Sequence, residues 1–222
     1  MQCYNTIQEK HGIKEDGLDR EERRLERMNT MKEEKVDRRI IRTKSMMREA
    51  LMDLMDEMPF GEITAKDITD RADLNRATFY LHYNNVFELL DELENEIAAG
   101  FSQMLEQIEI NQGKEWEYPV VGQICSFIAE NQRLCRCLLL NPRSDRFARK
   151  LTEIMKRKGM QVKAKMGLEV DPIKEKYIHQ FIACGAMGMV KQWLLEEMPM
   201  TKDEMTNFAM LIIRPSFDIL LP

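Results

Sequence analysis

The stretch ITAKDITDRADLNRATFYLHY, residues Ile63–Tyr83, decides the fold of this 222-residue chain. Thr64 carries a hydroxyl that can accept from the first backbone N–H groups of a helix, so it is predicted to be an N-cap. Ile68 and Ala72 stand four residues apart, as on one face of a helix, which predicts a short helix over Ala65–Ala72. The stretch therefore begins with a capped amphipathic helix.

A turn and a second short helix are predicted to follow. Asp73-Leu74-Asn75 breaks the first helix, because Asp tolerates a left-handed backbone and Asn75 can cap the next segment, Arg76–Tyr83. In this segment and the turn before it, Leu74, Phe79 and Tyr83 are expected to face inward, and Arg76, Thr78, Tyr80 and His82 to face outward. Two short helices joined by such a turn are typical of a helix-turn-helix, whose second helix enters the major groove of DNA.

The residues around this motif resemble the DNA-binding domain of the TetR family of bacterial transcriptional regulators. The pattern is carried by Thr43, Ala50, Leu51, Leu54, Phe60, Ile63, Thr64, Asp67, Ile68, Ala72, Leu74–Tyr80, His82 and Tyr83. It covers about residues 39–93, and Thr78–Tyr83, T-F-Y-x-H-Y, is its most specific part. The sequence departs from the family at Asp73, where Gly is usual, and at Asn84–Phe87, which lacks a phosphate-contacting Lys.

The outward residues of the motif are the candidates for DNA contact. Arg76 is expected to make a bidentate contact to guanine, and Thr78 and Tyr80 are expected to hold phosphates. His82 could do either, or stack on the next helix. Thr64 and Lys66 stand at the positive end of the preceding helix, where phosphate binds well. The predicted DNA-binding residues are Arg39, Arg42, Thr64, Lys66, Asn75, Arg76, Thr78, Tyr80 and His82.

The net charge of −5 at pH 7 requires a DNA-binding protein to concentrate its positive residues locally. Such a concentration is present: Lys32, Lys35, Arg38, Arg39, Arg42, Lys44 and Arg48 stand against Glu33, Glu34 and Asp37. From Arg38 onward these residues are expected near DNA, whereas those up to Lys35 fit an arm on DNA or a solvated charge run equally well. Residues 1–36 are expected to be a disordered or helical extension, with Met1, Met28 and Met31 as alternative start residues.

Other classes of function find little support in the sequence. The five cysteines are odd in number and form no CxxC pair, so free thiols are expected, and neither a metal nor a cofactor is predicted. No nucleophile with a matched base and no phosphate-cradling glycine loop stands out, so an enzyme is not expected and the carboxylates are interpreted as solvated surface. No apolar run reaches membrane-spanning length, which predicts a cytoplasmic protein.

Helical spacing extends along the whole chain. One helix is predicted over Arg39–Met58, packed on the helix-turn-helix through Phe60 and Ile63. A long helix over Val86–Ile110, closed by Asn111-Gln112-Gly113, is expected to act as a rigid lever, with Phe87, Leu90, Leu93, Ile97, Phe101, Met104 and Ile108 on one face. Five more helices are predicted over Pro119–Glu130, Gln132–Leu140, Asp145–Met166, Pro172–Met198 and Thr201–Leu221.

The last two helices are where the resemblance implies a dimer, since in TetR-like proteins they pair with their mates in a four-helix bundle. Two glycines within four residues suggest a close approach of another helix, because Gly costs about 1 kcal/mol relative to Ala inside a helix. Packing inside a single subunit is the alternative. The predicted interface residues are Gly185, Gly188, Gln192, Phe208 and Ile212.

The resemblance also implies an effector pocket, since most TetR-like proteins release DNA on binding a small molecule. The chain has 18 methionines, which suit an adaptable apolar lining. The predicted lining residues are Met104, Ile124, Phe127, Leu138, Phe147, Met155 and Phe181, and each could instead be ordinary core.

These observations predict an all-α protein with a three-helix DNA-binding head, joined by a long helix to a C-terminal domain that dimerises by a four-helix bundle. The predicted boundaries are 1–36 for the charged leader, 37–84 for the head and 85–222 for the effector-binding and dimerisation domain. The predicted function is a homodimeric repressor, bound to a double-stranded DNA operator and released by a small apolar effector. The alternative is a co-regulator that acts through a protein partner and has no small-molecule pocket.

Overall fold

The computed structural model of the chain describes residues 38–109, 117–141, 145–166 and 171–218. The chain divides into two compact units, Met1–Met47 and Arg48–Pro222. Helices and the turns between them account for the described residues, among which no strand occurs. The all-α class predicted from the sequence is therefore confirmed.

The helices follow one another with short connections. The first, α1, spans residues 38–57 and is followed by a 3₁₀ turn, Phe60–Glu62. The other helices of the described residues are α2 (Ala65–Arg71), α3 (Arg76–Tyr80), α4 (Val86–Gln107), α5 (Glu117–Glu130), α6 (Gln132–Leu139), α7 (Asp145–Met166), α8 (Pro172–Leu195) and α9 (Lys202–Asp218). Most begin and end within two residues of the predicted bounds. The predicted stop at 111–113 and the predicted end of the last helix at Leu221 lie outside the described residues.

A small apolar core holds the helix-turn-helix together. Leu51 of α1, Ile68 of α2 and Phe79 of α3 are fully buried. Phe60 and Ile63 are also buried, as the sequence predicted, and the ring of Phe60 packs edge-on against Phe87 of α4 at 5.2 Å between centroids. The side chains that give this stretch its helical periodicity are thus the ones that fill the core.

The buried face of α4 differs from the predicted one. It consists of Val86, Leu89, Leu90, Leu93, Glu94, Ile97, Ala98, Phe101 and Leu105. Phe87 was expected in this face and is 49% exposed, so that prediction is wrong. Met104 and Ile108 are only partly buried. The stripe proceeds in steps of four residues from Ile97 to Leu105, and this rotation leaves Phe87 at its edge.

Two helices end earlier than predicted. The backbone N–H groups of His82 and Tyr83 both donate to the carbonyl of Phe79, at 3.0 and 2.9 Å, so α3 closes in a tight turn and ends at Tyr80. After α4 the C-cap Ile108 has an extended backbone, with ψ 111°, and the helix ends at Gln107 instead of Ile110.

The turn between α8 and α9 also comes earlier than predicted. Glu197 and Met198 have φ angles of 58° and 59°, so the helix ends at Leu195 and not at Met198. Met198 stands before Pro199, a position in which the right-handed helical conformation is disfavoured. The indole N–H of Trp193, a buried residue, donates to the carbonyl of Met200 at 2.9 Å and fixes the turn.

The C-terminal helices pack as a bundle around α5. Its main partner is α9, and α4 lies along α7 while α6 contacts both α7 and α8. A capping box starts α9: the Glu204 carboxylate accepts from the backbone N–H of Thr201 at 2.8 Å, and the N–H of Glu204 donates to the Thr201 hydroxyl at 3.3 Å. Both helices of the α5–α9 pair contribute to the cavity described below.

Replacing Ile68 by Ala should lower the free energy of unfolding by about 2–5 kcal/mol, because a fully buried side chain leaves a cavity between α2 and its neighbours. Urea unfolding followed by circular dichroism measures this. The control, Lys66→Ala on the same helix, removes an exposed pair with Asp70 at 3.6 Å and should change stability by less than about 0.5 kcal/mol. Equal effects of the two substitutions would contradict the assigned core.

Candidate nucleic-acid interface and internal cavity

The first helix of the motif starts with a complete capping box. The Thr64 hydroxyl accepts from the N–H of Asp67 at 3.3 Å and donates to its carboxylate at 2.6 Å, while the N–H of Thr64 donates to the same carboxylate at 2.9 Å. These hydrogen bonds lower the pKa of Asp67. Thr64 is therefore a structural cap, and Lys66 in the first turn is exposed and beside Asp70.

The turn of the motif has the geometry that its residues predict. Asp73 has a φ of 52°, in the left-handed region that Asp tolerates, which explains how this chain replaces a glycine usual in the resembling family. The N–H of Leu74 donates back to Thr69 at 2.9 Å. Asn75 caps α3 by accepting from the N–H of Ala77 at 2.8 Å. Asn75 thus sets the direction in which α3 leaves the turn.

The exposed face of α3 is polar and aromatic. Phe79 and Tyr83 are buried, whereas Arg76 and Tyr80 are exposed and Thr78 and His82 are partly so. The Arg76 guanidinium donates to the Tyr80 hydroxyl at 3.2 Å and lies 5.6 Å from the centre of its ring. The structure therefore brings Arg76 and Tyr80 together on the surface, as the outward pattern predicted.

One exposed side chain of this surface was missed in the sequence. Leu81, the residue after α3, is 81% exposed. Its position in the motif, directly between Tyr80 and His82, is the signal that could have indicated it. Arg39 and Arg42, the remaining predicted DNA contacts, lie exposed on α1 within the described part of the first unit.

An ion cluster joins α1 to α6, and the sequence interpretation of these carboxylates as plain solvated surface missed it. Arg133 of α6 contacts Asp53 and pairs with Glu49 at 2.8 Å and with Asp56 at 4.0 Å. Arg71 of α2 makes a bidentate contact to Glu57 at 2.9 and 2.6 Å. The acidic residues have helical spacing in the sequence, so the sequence shows that they share one face of α1. Their partners Arg71 and Arg133 lie far away along the chain, so the sequence does not show the pairing.

An apolar cavity of about 140 Å³ lies among the C-terminal helices. Thr152 is the one residue among the described ones lining it whose side chain carries oxygen. On α4 the cavity is lined by Ile97 and Phe101, and the remaining lining residues are Val120, Val121, Ile124, Cys125, Phe127, Ile128, Cys135, Leu139, Leu151, Met155, Ile182, Ala183, Ala186, Met187, Met189, Val190, Met205, Ala209 and Ile213. Such a space accepts only apolar groups at low cost.

A larger cleft of about 450 Å³ adjoins this cavity. The two share the lining residues Val120, Ile124, Thr152, Met155, Ile182 and Ala183. The cleft is partly polar, with Glu153, Lys156, Lys158, Glu175, Lys176, His179 and Gln180 in its walls. Together the two spaces are within the size range of small-molecule sites, about 300–1,000 Å³.

Of the seven residues predicted to line a pocket, three line the apolar cavity and four line neither space. Ile124, Phe127 and Met155 line the apolar cavity. Leu138 and Phe147 are buried but line neither space, and Met104 is partly buried on α4. Phe181 is 65% exposed, because its register on α8 places it on the outer face of that helix.

Both α8 and its neighbour α9 expose apolar side chains. Ile173, Tyr177 and Phe181 follow one another at intervals of four residues on α8, and Phe208, Leu211 and Ile212 are exposed on α9. A Cβ built on Gly185 or Gly188 would meet nothing within 4 Å, so neither glycine is needed for packing inside the chain. Gln192 is also exposed, and its side chain donates to Glu196 at 2.6 Å.

Other kinds of site are absent from the described residues. They contain no group of three or more side chains that could hold a metal ion. Within the same ranges, none of the helices has the length and apolarity that crossing a membrane requires.

Comparison with known proteins finds similarity in the C-terminal region and over a short stretch of 63 residues. Residues 115–215 match the TetR family model of a transcriptional regulator C-terminal region. The uncharacterized HTH-type transcriptional regulator YxbF of Bacillus subtilis (strain 168) is 41% identical over 63 residues, which are 28% of this chain and 17% of that protein. The chain thus spans about a sixth of the length of this relative.

Solved structures show the same fold. A TetR transcriptional regulator from Streptococcus agalactiae 2603V has a TM-score of 0.57 at 23% identity, over 80% of this chain and 96% of that chain. SmeT, the repressor of the Stenotrophomonas maltophilia multidrug efflux pump SmeDEF, has a TM-score of 0.60 at 17% identity, over 81% and 90%. SmeT is also known in complex with triclosan. Residues 115–215 are thus similar to the C-terminal region of TetR-family transcriptional regulators, and the fold of the chain is that of solved TetR-family structures.

The buried thiols of Cys135 and Cys137 on α6 should be protected from alkylation. Burial raises the pKa of Cys135 to about 12, and burial with the nearby charge of Asp56 raises that of Cys137 to about 11. Because the thiolate is the nucleophile, both should react with iodoacetamide at pH 8 at least about tenfold more slowly in the native than in the urea-unfolded chain. Mass spectrometry of the labelled peptides measures this, and native labelling at the unfolded rate would contradict the burial.

Proposed function

We propose that the protein is a homodimeric repressor, which holds a DNA operator through α3 of each protomer and releases it when a small molecule enters the C-terminal helices. One observation carries this proposal: a single helix, α4, contacts both sites. Near the start of α4, Glu92 accepts a hydrogen bond from the Tyr83 hydroxyl at 3.1 Å. Further along the same helix, Ile97 and Phe101 line the apolar cavity. A displacement at the cavity therefore acts on the element that carries the DNA-binding surface.

On the DNA side, Arg76 is proposed to read a guanine in the major groove. It is exposed at the start of α3, and its guanidinium donates to the Tyr80 hydroxyl at 3.2 Å, which holds it on the outer surface of the helix. Thr78, Tyr80 and His82 are proposed to contact phosphates, with Lys66, Thr64 and Asn75 at the starts of the two helices. Arg39 and Arg42 are proposed to add backbone contacts from α1.

The exposed apolar face of α8 and α9 is proposed to form the dimer. Exposed apolar side chains as large as Tyr177, Phe181 and Leu211 on two contacting helices are typical of a protein–protein interface. The open space around Gly185 and Gly188 lets a partner helix come close. Two-fold pairing of this face would use Gln192, Phe208 and Ile212 twice per dimer.

Release then follows from the geometry of two linked heads. Half-sites on DNA lie about one helical turn, roughly 34 Å, apart, so a small change in head separation prevents both from docking. A ligand that fills the apolar cavity would push on Ile97 and Phe101 of α4. The cluster of Arg133 with Glu49, Asp53 and Asp56 provides a second link, from α6 to the head.

The existence of the cavity favours this function over a co-regulator without a pocket. A C-terminal domain that only bound a protein partner would have a filled core, whereas this one leaves about 140 Å³ of apolar space beside a 450 Å³ cleft. The similar structure SmeT, a repressor, has been solved in complex with triclosan, which also supports an effector site.

Arg76→Ala should weaken binding to the operator by about 1–3 kcal/mol and relax base preference at one position in each half-site, because a bidentate contact is lost. Fluorescence anisotropy on the operator found by genomic footprinting, compared with random duplex, measures both. Lys66→Ala is the control and should weaken the two duplexes alike. Unchanged discrimination in the Arg76 variant would show that another residue reads the bases.

Gly188→Leu should shift the protein toward monomer while helix content is kept, since the new side chain occupies space that the partner helix needs. Sedimentation velocity measures the shift, and alkylation of Cys184, exposed in the single chain on the same face, should be faster in the variant than in the wild type. Gly61→Leu, also with open space but in the head, should remain dimeric. A fully dimeric Gly188 variant would exclude this face.

A further inference from the structure

The cleft beside the apolar cavity contains a buried ammonium group with one described partner. Lys158 of α7 is only 9% exposed and lines the cleft. Its Nζ donates to the carbonyl of Ile108, at the end of α4, at 3.2 Å. An ammonium group has three N–H donors, and within the described residues no carboxylate lies within ion-pair distance of this one. Burial, reinforced by the charge of Lys165, lowers the pKa of Lys158, and Glu106 partly offsets this.

The other charges of the cleft do not neutralise Lys158. Glu175 is occupied by Lys163, at 2.6 Å. Glu153 is exposed, and Lys156 and Lys176 bring further positive charge to the walls. A buried charge with no counter-ion in contact among the described residues is costly, so a ligand that supplied one would gain a strong, charge-assisted hydrogen bond.

We propose that the effector is an amphipathic anion, with an apolar tail in the 140 Å³ cavity and an anionic head group bound by Lys158 in the adjoining cleft. This inference rests on the proposed effector site and names the chemistry of its ligand. The two spaces share the lining residues Ile124, Thr152 and Met155, so they lie side by side, and the proposed effector occupies both.

The same contact gives the head group a route to the DNA-binding surface. Lys158 donates to the carbonyl of Ile108, the extended C-cap residue that follows α4. An anionic head group that binds the remaining N–H donors draws the ammonium into the cleft and weakens its bond to that carbonyl. Binding therefore loosens the contact of α7 with the end of α4, the helix that is bonded near its start to Tyr83 of the helix-turn-helix.

The test compares probes with one tail and different head groups: decanoate, decanol and decylamine, titrated calorimetrically into the full-length protein without DNA. Decanoate should bind the wild type about tenfold or more tightly than decanol, and decylamine should bind more weakly than either. Lys158→Met, which keeps the length of the side chain, should reduce decanoate binding to the affinity of decanol and leave decanol unchanged. Arg157→Met, an exposed neighbour outside the cleft, should bind all three like the wild type.

Equal affinities of decanoate and decanol for the wild type would overturn the anionic head group and leave an apolar effector site standing. No binding of decanoate to the wild type would also overturn it. Because these comparisons need no variant, they hold even if Lys158→Met fails to fold. The operator experiments with Arg76 test the proposed repressor independently, since the probe titrations contain no DNA.

Discussion

The hydroxyl of Tyr83 donates to Glu92 at 3.1 Å, and this contact fixes the helix-turn-helix on the long helix α4. With five residues, α3 is too short to be stable alone and depends on the packing of its apolar side. That side is Phe79, whose ring lies 5.6 Å from that of Tyr83, and both residues are buried. Burial, together with the charge of Glu92, raises the pKa of Tyr83, so its hydroxyl stays a donor at physiological pH. The orientation of Arg76 and Tyr80 on the surface follows from this anchor.

The helix α4, whose Glu92 bonds Tyr83, also reaches the interior of the C-terminal bundle. Its start is held by Asn85, which accepts from the N–H of Glu88 at 3.1 Å, and by Asn84, whose N–H donates to the Glu88 carboxylate at 2.9 Å. Further along, Ile97 and Phe101 face the apolar cavity. A helix that is capped at one end and packed along its length can transmit a displacement as a nearly rigid body, and the proposed coupling of the two sites relies on this property of α4.

Ion pairs within the protein reconcile the net negative charge of the chain with the proposed binding of negatively charged DNA. The acidic face of α1, with Glu49, Asp53 and Asp56, is turned toward Arg133 of α6, and Glu57 is bound by Arg71. These are mostly exposed pairs, which water and salt screen, so each adds little to the stability of the fold. Their larger consequence is that carboxylates near the head are paired with cations of the same protein, which weakens the repulsion of DNA phosphates.

The sequence alone determined the all-α class, the capped start of α2, the turn at Asp73 and the inward positions of Phe79 and Tyr83, because each depends on residues within a few positions of one another. The tertiary structure decided what depends on partners far along the chain. It turned Phe181 outward, left Leu138 and Phe147 beside the cavity without lining it, and rotated α4 so that Leu105 and not Phe87 is buried. The Arg133 cluster and the buried Lys158 likewise arise from helices that meet only in the folded bundle. Periodicity in the sequence predicts the buried face of a helix to within about one residue on either side. Packing against another helix decides which residue at the edge of that face is buried.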